Sequence, residues 1–244
     1  MSTKHRIYNI CDTELSCNKL VTINHHMLNK VARSITPEPG PDWDFYLPTA
    51  LRKGAPLEAH QSHMDRLLDV AWFFWLQGSQ NYCYWHREGM SGAMRHWEYG
   101  GKKGSSGLVV MTQELYDEGH LHAYTPEALE AFKTKAADMP LFRTRVRNLL
   151  VMYFVGRERF EELLLSARQT DGSWHFTADT AQALADAFAP AYSDPLLKRA
   201  QLALGLMAAN FKARGETVTL DLTAYADYRL PQVLRHLGVL DYAP

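Results

Sequence analysis

Apolar positions recur at helical spacing along most of the chain and lose that rhythm in two places. In PLEAHQSHMDRLLDVAWFFWL, residues Leu67, Leu68, Ala71, Trp72 and Trp75 share one helical face, which predicts a buried helix. Residues 16–34 form a further candidate helix upstream. Between the two, ITPEPGPDWDFYLP carries Pro37, Pro39, Pro41 and Pro48, so an extended connector is expected there. The second break runs from Gly78 to Gly107, where aromatics mix with glycine and polar residues and NYCYW at 81–85 alternates as an extended segment would. From Leu108 onwards the helical signals return. Thr125 is placed to cap a helix with Pro126 in its first turn, and RVRNLLVMYFVGRERFEELLLSAR carries a broad apolar stripe. Ser193, Asp194 and Pro195 open a helix that Gly215 ends, with Leu197, Ala200, Leu204, Ala208 and Phe211 on its core face. Lys198 and Gln201, three residues apart on an adjoining face, are placed to reach one shared ligand. The expected fold is mainly α, a single helical domain with a small irregular or β element near residues 78–110 and a C-terminal half that is nearly all helix.

Composition narrows the function. With 244 residues, 46% of them hydrophobic, the chain is long enough to bury one sizeable core. Residues 1–48 read as an N-terminal segment with its Pro-rich connector, and 49–244 as the helical domain. A formal charge of −1 provides no broad basic surface, so stable nucleic-acid binding is not expected, whereas a nucleotide-sized ligand is easily accommodated. Cys11, Cys17 and Cys83 form neither a metal-binding repeat nor a disulfide framework, which favours a reducing, cytoplasmic setting. The N-terminus has no apolar signal core and no segment approaches the roughly 20 apolar residues of a membrane span.

The most informative segment is TAYADYRLPQVLRHLG. Pro231 suits the first turn of a helix, which puts Asp227, Tyr228 and Arg229 at a helix entrance. Read from residue types alone, this is a junction at which Asp227 caps, Arg229 pairs at the surface and Tyr228 packs. ADYRLPQVLRHLG is, however, nearly identical to the A-D-Y-R-L-P-Q-V-L-x-x-L-G stretch of the queuosine 5′-phosphate N-glycosylase/hydrolase family, the queuosine salvage proteins. Other segments resemble that family in the same order. NYCYW at Asn81–Trp85 is similar to N-F-S-F-W. The run from Tyr99 through Gly101, Lys102, Ser106 and Gly107 to Asp117–Gly119 is similar to Y-x-G-K-x-x-S-G and its following helix, with one residue inserted. Leu197–Gln201 resembles the lysine-bearing K-R-A-Q helix. The resemblance spans roughly residues 60–242. Ser79 and Gln80 stand where the family has an acidic residue shortly before N-F-S-F-W, and family members generally continue for several helices past the position of Pro244.

The resemblance implies a helical, DNA-glycosylase-like catalytic domain that cleaves the N-glycosidic bond of queuosine 5′-monophosphate, or a close 7-deazaguanine nucleotide, without metal or organic cofactor. Such cleavage passes through an oxocarbenium-like state that a carboxylate stabilises, and Asp227 is the candidate catalytic group. Asn81, Tyr82, Tyr84 and Trp85 are candidates to hold the base, and Lys198, Tyr228 and Arg229 to hold the rest of the nucleotide, Lys as a mobile charge and Arg as a bidentate fork. Two alternatives remain: a glycosylase acting on a modified base in DNA or RNA, and a nucleotide-binding homologue without turnover. Three signals carry less weight. The histidine pairs lack a metal-ligand motif, GGKKGSSG at 100–107 lacks the P-loop pattern and reads as a flexible turn, and Arg143, Arg145 and Arg147 read as a solvated face.

Overall fold

The computed structural model describes Thr3 and residues 21–35, 40–88, 93–223, 225, 227 and 229–243. In chain order the described elements are β1 (Val21–Ile23), α1 (His25–Ser34), α2 (His63–Gln80), β2 (Trp85–Glu88), β3 (Ala93–His96), β4 (Glu98–Tyr99), β5 (Lys102–Lys103), α3 (Ser105–Asp117), α4 (Pro126–Lys135), α5 (Phe142–Val155), α6 (Arg157–Leu165), β6 (Trp174–Thr177), α7 (Ala178–Ala187), α8 (Lys198–Ala213), β7 (Val218–Asp221), α9 (Arg229–His236) and β8 (Leu240–Tyr242). The fold is mainly α, as expected. The described strands pair only two at a time: β1 with β8, β2 with β3, β4 with β5, and β6 with β7.

Helix α2 is the post around which the rest is built. Ser62 and Asp65 form a reciprocal capping box at its start, and fourteen of its 18 residues are buried, so neighbours cover it on every side. Helices α8 and α5 lie against it, with α3 and α6 completing the enclosure. Trp75 stacks on Tyr192 at 3.7 Å between ring centroids and meets Phe160 and Phe188 on its other sides. Each such ring buries on the order of 150–250 Å², so this cluster makes a large apolar contribution to the core.

Several expectations need correcting. Residues 21–23 of the candidate upstream helix form β1, and the helix begins only at His25, where Asn24 accepts a bond from the Met27 amide. Residues 16–20 and 36–39 lie outside the described residues. The connector is not simply extended: Asp44–Tyr46 is a short 3₁₀ turn and Leu47 enters the core, and just past the connector a second such turn, Thr49–Leu51, adds Leu51 to it. The stripe from Arg145 to Arg168 is broken into α5 and α6 by Gly156, whose φ of +85° no right-handed helix accommodates. The C-terminal half also contains β6 and β7, a parallel pair that threads Trp174 and Phe176 into the core while His175 faces out. Helix α8 starts at Lys198, three residues later than Pro195 suggested. Asp194 nevertheless serves its start, because its carboxylate accepts the amides of Lys198 and Arg199.

Candidate active site

One cleft of about 1250 Å³ opens between the C-terminal end of α2, the β2–β3 hairpin, the start of α3, the start of α8 and the segment leading into α9. Asn81, Tyr82, Tyr84, Trp85, Lys198, Asp227 and Arg229, all singled out in the sequence, line it together. Tyr228 lies outside the described residues. The cleft also takes residues that the sequence did not single out as ligand-binding: Tyr46, His96, Lys103, Ser105, Ser106, Asp194 and Arg199. Its charged lining, Lys103, Lys198, Arg199 and Arg229 against Asp194 and Asp227, is net positive, which suits an anionic ligand.

The aromatic wall exists because α2 must end where it does. The last carbonyls of a helix need partners, and here they find cations. Ser79 O accepts from Arg199 Nη1 at 3.2 Å and Asn148 Nδ2 at 3.3 Å, and Gln80 O accepts from Arg145 Nη1 at 2.5 Å. Arg145 is fully buried on α5 and is therefore not part of a solvated face. It donates as well to the carbonyls of Tyr82, Cys83 and Pro140, and its guanidinium lies 4.4 Å from the Tyr82 ring centroid. Burial pulls its pKa down, yet four carbonyls and the Tyr82 ring face compensate the charge. Cys83 is held at φ +46° by the same turn.

This arrangement distinguishes the three aromatics of NYCYW. Tyr82 lies beneath two guanidiniums, those of Arg145 and Arg199, and its hydroxyl accepts from Asn148 Nδ2. Tyr84 stacks on Trp97 at 6.1 Å and donates its hydroxyl to Asn81 Oδ1 at 2.8 Å. Burial raises the pKa of both phenols, so both keep their protons. Trp85 is different. It is 42% exposed and meets the His96 ring edge-on at 4.1 Å across the hairpin.

The Asp227 wall completes the cleft. Strand β7, held parallel to β6, delivers the chain to Thr223, Tyr225 and Asp227, each of which meets α8. Asp227 Oδ1 accepts the Arg229 amide at 3.0 Å, so the helix-entrance role read from residue types is realised, while Oδ2 pairs with Lys198 Nζ at 3.2 Å. Burial works to raise the Asp227 pKa, but the Arg229 amide and the Lys198 ammonium outweigh it and hold the carboxyl below its ordinary value. At neutral pH it is an anion. Gln201, expected to face a ligand beside Lys198, is instead fully buried, with its amide bonded to Thr223 and Leu196. GGKKGSSG, set aside as a turn, provides the wall formed by Lys103, Ser105 and Ser106. Among the described residues no three His, Cys, Asp or Glu side chains gather closely enough to hold a metal ion, and no described helix is long and apolar enough to cross a membrane.

A protein named queuosine 5′-phosphate N-glycosylase/hydrolase from Dictyostelium discoideum is 27% identical over 183 residues, covering 67% of this chain and 51% of that protein. One of the same name from Sphaerobacter thermophilus is 71% identical over 24 residues, 10% of this chain and 7% of that protein. The chain thus spans about half the length of the first of these relatives. The family model described as queuosine salvage protein matches residues 59–244, well over half of the chain and all of the cleft lining except Tyr46, and the chain belongs to that family.

Proposed function

We propose that the chain hydrolyses the N-glycosidic bond of queuosine 5′-monophosphate, or of a close 7-deazaguanine nucleotide, releasing the base and ribose 5-phosphate for salvage. The observation that carries this reading is an ionised Asp227 lining a net-positive cleft together with an aromatic segment that has one open indole. In the reaction the bond from C1′ to the base nitrogen breaks and its electron pair leaves with the base. C1′ gains the hydroxyl of a water molecule, and the water's other proton ends on the departing base. The barrier is set by the oxocarbenium-like sugar formed as the bond breaks.

Asp227 suits that moment. A carboxylate with a depressed pKa is a weak base but a persistent anion, so its contribution is electrostatic: it faces the positive charge developing at C1′ and orients the attacking water. Lys198 and Arg229 hold the 5′-phosphate. The Lys198 ammonium, already on Asp227, bridges carboxylate and phosphate and so ties the sugar's position to that of the anion. A 7-deazaguanine lacks the ring nitrogen whose protonation helps ordinary purines leave. The departing base therefore depends on stacking and on hydrogen bonds to its edge, and Trp85, the most open ring of the wall, provides the stacking surface.

Purified protein incubated with queuosine 5′-monophosphate, beside the Asp227→Asn variant, is expected to release free queuine detectable by mass spectrometry from wild type only. Recovery of intact nucleotide from the wild-type protein would overturn the reading in favour of a binding protein.

A further inference from the structure

The sequence pairs Lys198 with Gln201 on one helix, yet only Lys198 reaches the cleft. Positions 198, 201 and 205 lie within about 60° of one another around an α-helix, so they form one face of α8. Each grips a different residue of the segment that carries Asp227. At 201, Gln201 Oε1 accepts the Thr223 amide at 2.8 Å and the Thr223 hydroxyl at 3.1 Å, and Nε2 lies 2.8 Å from Thr223 Oγ1 and 3.0 Å from Leu196 O. At 205, the absence of a side chain leaves a notch in which the Tyr225 hydroxyl end is seated, so that a Cβ on Gly205 would collide with it. At 198, the ammonium meets Asp227. The segment therefore touches α8 at 201, runs out to 205 and doubles back to 198. The reversal is closed by the Asp227 amide donating to Tyr225 O at 2.7 Å, a bond spanning two residues.

We infer that Gln201 is a positioning residue for Asp227: fully buried and out of reach of substrate, it fixes the outward leg of the turn that Gly205 and Tyr225 reverse, and so sets where the carboxylate stands above the cleft. The side chain fits this task in its chemistry. It provides an acceptor for a backbone N–H that would otherwise go unpaired, and a donor for Leu196 O, the carbonyl of a residue lining the cleft floor. Glutamate lacks the donor, leucine lacks both, and asparagine is one methylene short. The grip also couples the two ends of the site, because one amide side chain ties Leu196, at the entry to α8, to Thr223, four residues before Asp227.

The inference rests on the role proposed above for Asp227, and two readouts separate it from that role. One is turnover of queuosine 5′-monophosphate by the full chain. The other is hydrogen exchange of the 222–230 backbone, which needs no substrate. In Gln201→Leu, and independently in Thr223→Val, exchange of 222–230 is expected to accelerate while α2, α5 and α8 keep wild-type protection. kcat should fall about 100-fold, as for a reacting group displaced by about 1 Å, with KM changed less than about threefold. Gly205→Ala, which unseats Tyr225, should give the same split. Gln201→Glu, which keeps the acceptor, should recover part of the kcat lost in Gln201→Leu.

Wild-type exchange at 222–230 together with kcat within about twofold in Thr223→Val and Gln201→Leu overturns the inference. So does faster exchange across the whole chain with activity falling in step with melting temperature, which would make Gln201 a core residue only. Should Gln201→Leu fail to fold, Thr223→Val decides, since it removes a single hydroxyl from the partly exposed partner. If wild type does not hydrolyse the nucleotide, the proposed function falls, and exchange at 222–230 alone still supports or sinks the positioning role.

Discussion

The two walls of the cleft are held by opposite means. The Asn81–Trp85 wall is fixed through its backbone: a guanidinium buried in the core takes four carbonyls of the α2 exit and its neighbours at once. The Asp227 wall hangs from the side chains of α8, an ammonium at 3.2 Å, one amide and one glycine notch, and Asp227 itself is 38% exposed. The first wall is therefore inseparable from the fold, whereas the second can be altered while the fold survives. The proposed hydrolysis, which calls for a rigid stacking surface and a carboxylate free to meet developing charge, would gain from that division.

The comparison breaks most visibly at Arg145. Arg145→Ala strands the buried carbonyl of Gln80, removes the part-buried bonds to the carbonyls of Tyr82 and Cys83 and opens a cavity, so it is expected to cost about 3–5 kcal/mol of stability, read as a fall in melting temperature and denaturation midpoint. Arg145→Lys keeps a charge but not the planar fork, and should recover only part of the loss. Asp227→Asn is the converse. Its ion pair with Lys198 is half-buried and open to the cleft, and the Lys198 ammonium keeps solvent access, so stability should change by less than about 1 kcal/mol. kcat/KM should nevertheless fall about 10²–10³-fold, the usual consequence of removing a group aimed at transition-state charge. Equal stability losses in the two variants would contradict the division between the walls.

Much of this was legible in the chain. The buried post α2, the Thr125 cap with Pro126, the core face of α8 and the irregular insertion at 78–110 all follow from spacing and local chemistry, and the motifs carrying the family resemblance converge on one cleft. Arg145 was misread because arginines at alternate positions look solvated. Yet 145 lies on the same stripe as Leu149 and Met152, four and seven residues on, and that stripe is the buried one. The parallel pair β6–β7 had a signal too, the alternation in Trp174-His175-Phe176-Thr177, which is short enough to be lost between helices. What no local pattern carries is the meeting of His96, Lys103 and Arg199 with Asp227. They come together only once α2, α3 and α8 have packed.

Smaller effects sharpen the contrast within each wall. Trp85→Ala removes the exposed ring without touching the Arg145 brace, so stability should stay within about 1 kcal/mol while nucleotide affinity drops by the 1–3 kcal/mol typical of one base–aromatic stack, about 5- to 150-fold in Kd. Tyr82→Phe loses only a hydroxyl bonded to Asn148 and should affect binding far less, since the Tyr82 ring is already occupied by two guanidiniums.

The last test is of the carboxylate's charge. Because the folded Asp227 pKa lies below its unfolded value near 3.9, the ionised form is favoured by folding; that contribution is complete above the unfolded value and disappears as pH falls through the folded one. Activity that needs the anion should therefore persist on acidification to about pH 4 and be lost only below it. Lys198→Met removes both the hydrogen bond and the charge of the ammonium, leaving the Arg229 amide and charge to oppose burial, so the acid limb of kcat/KM should move up in pH. Arg199, Asp194, His96 and Lys103 also border the cleft, but they are common to both proteins, so the difference between the two profiles isolates the Lys198–Asp227 pair. An unmoved limb would mean that the ionisation governing turnover belongs to another group, and that the α8 side of the cleft positions substrate without setting the charge that acts on it.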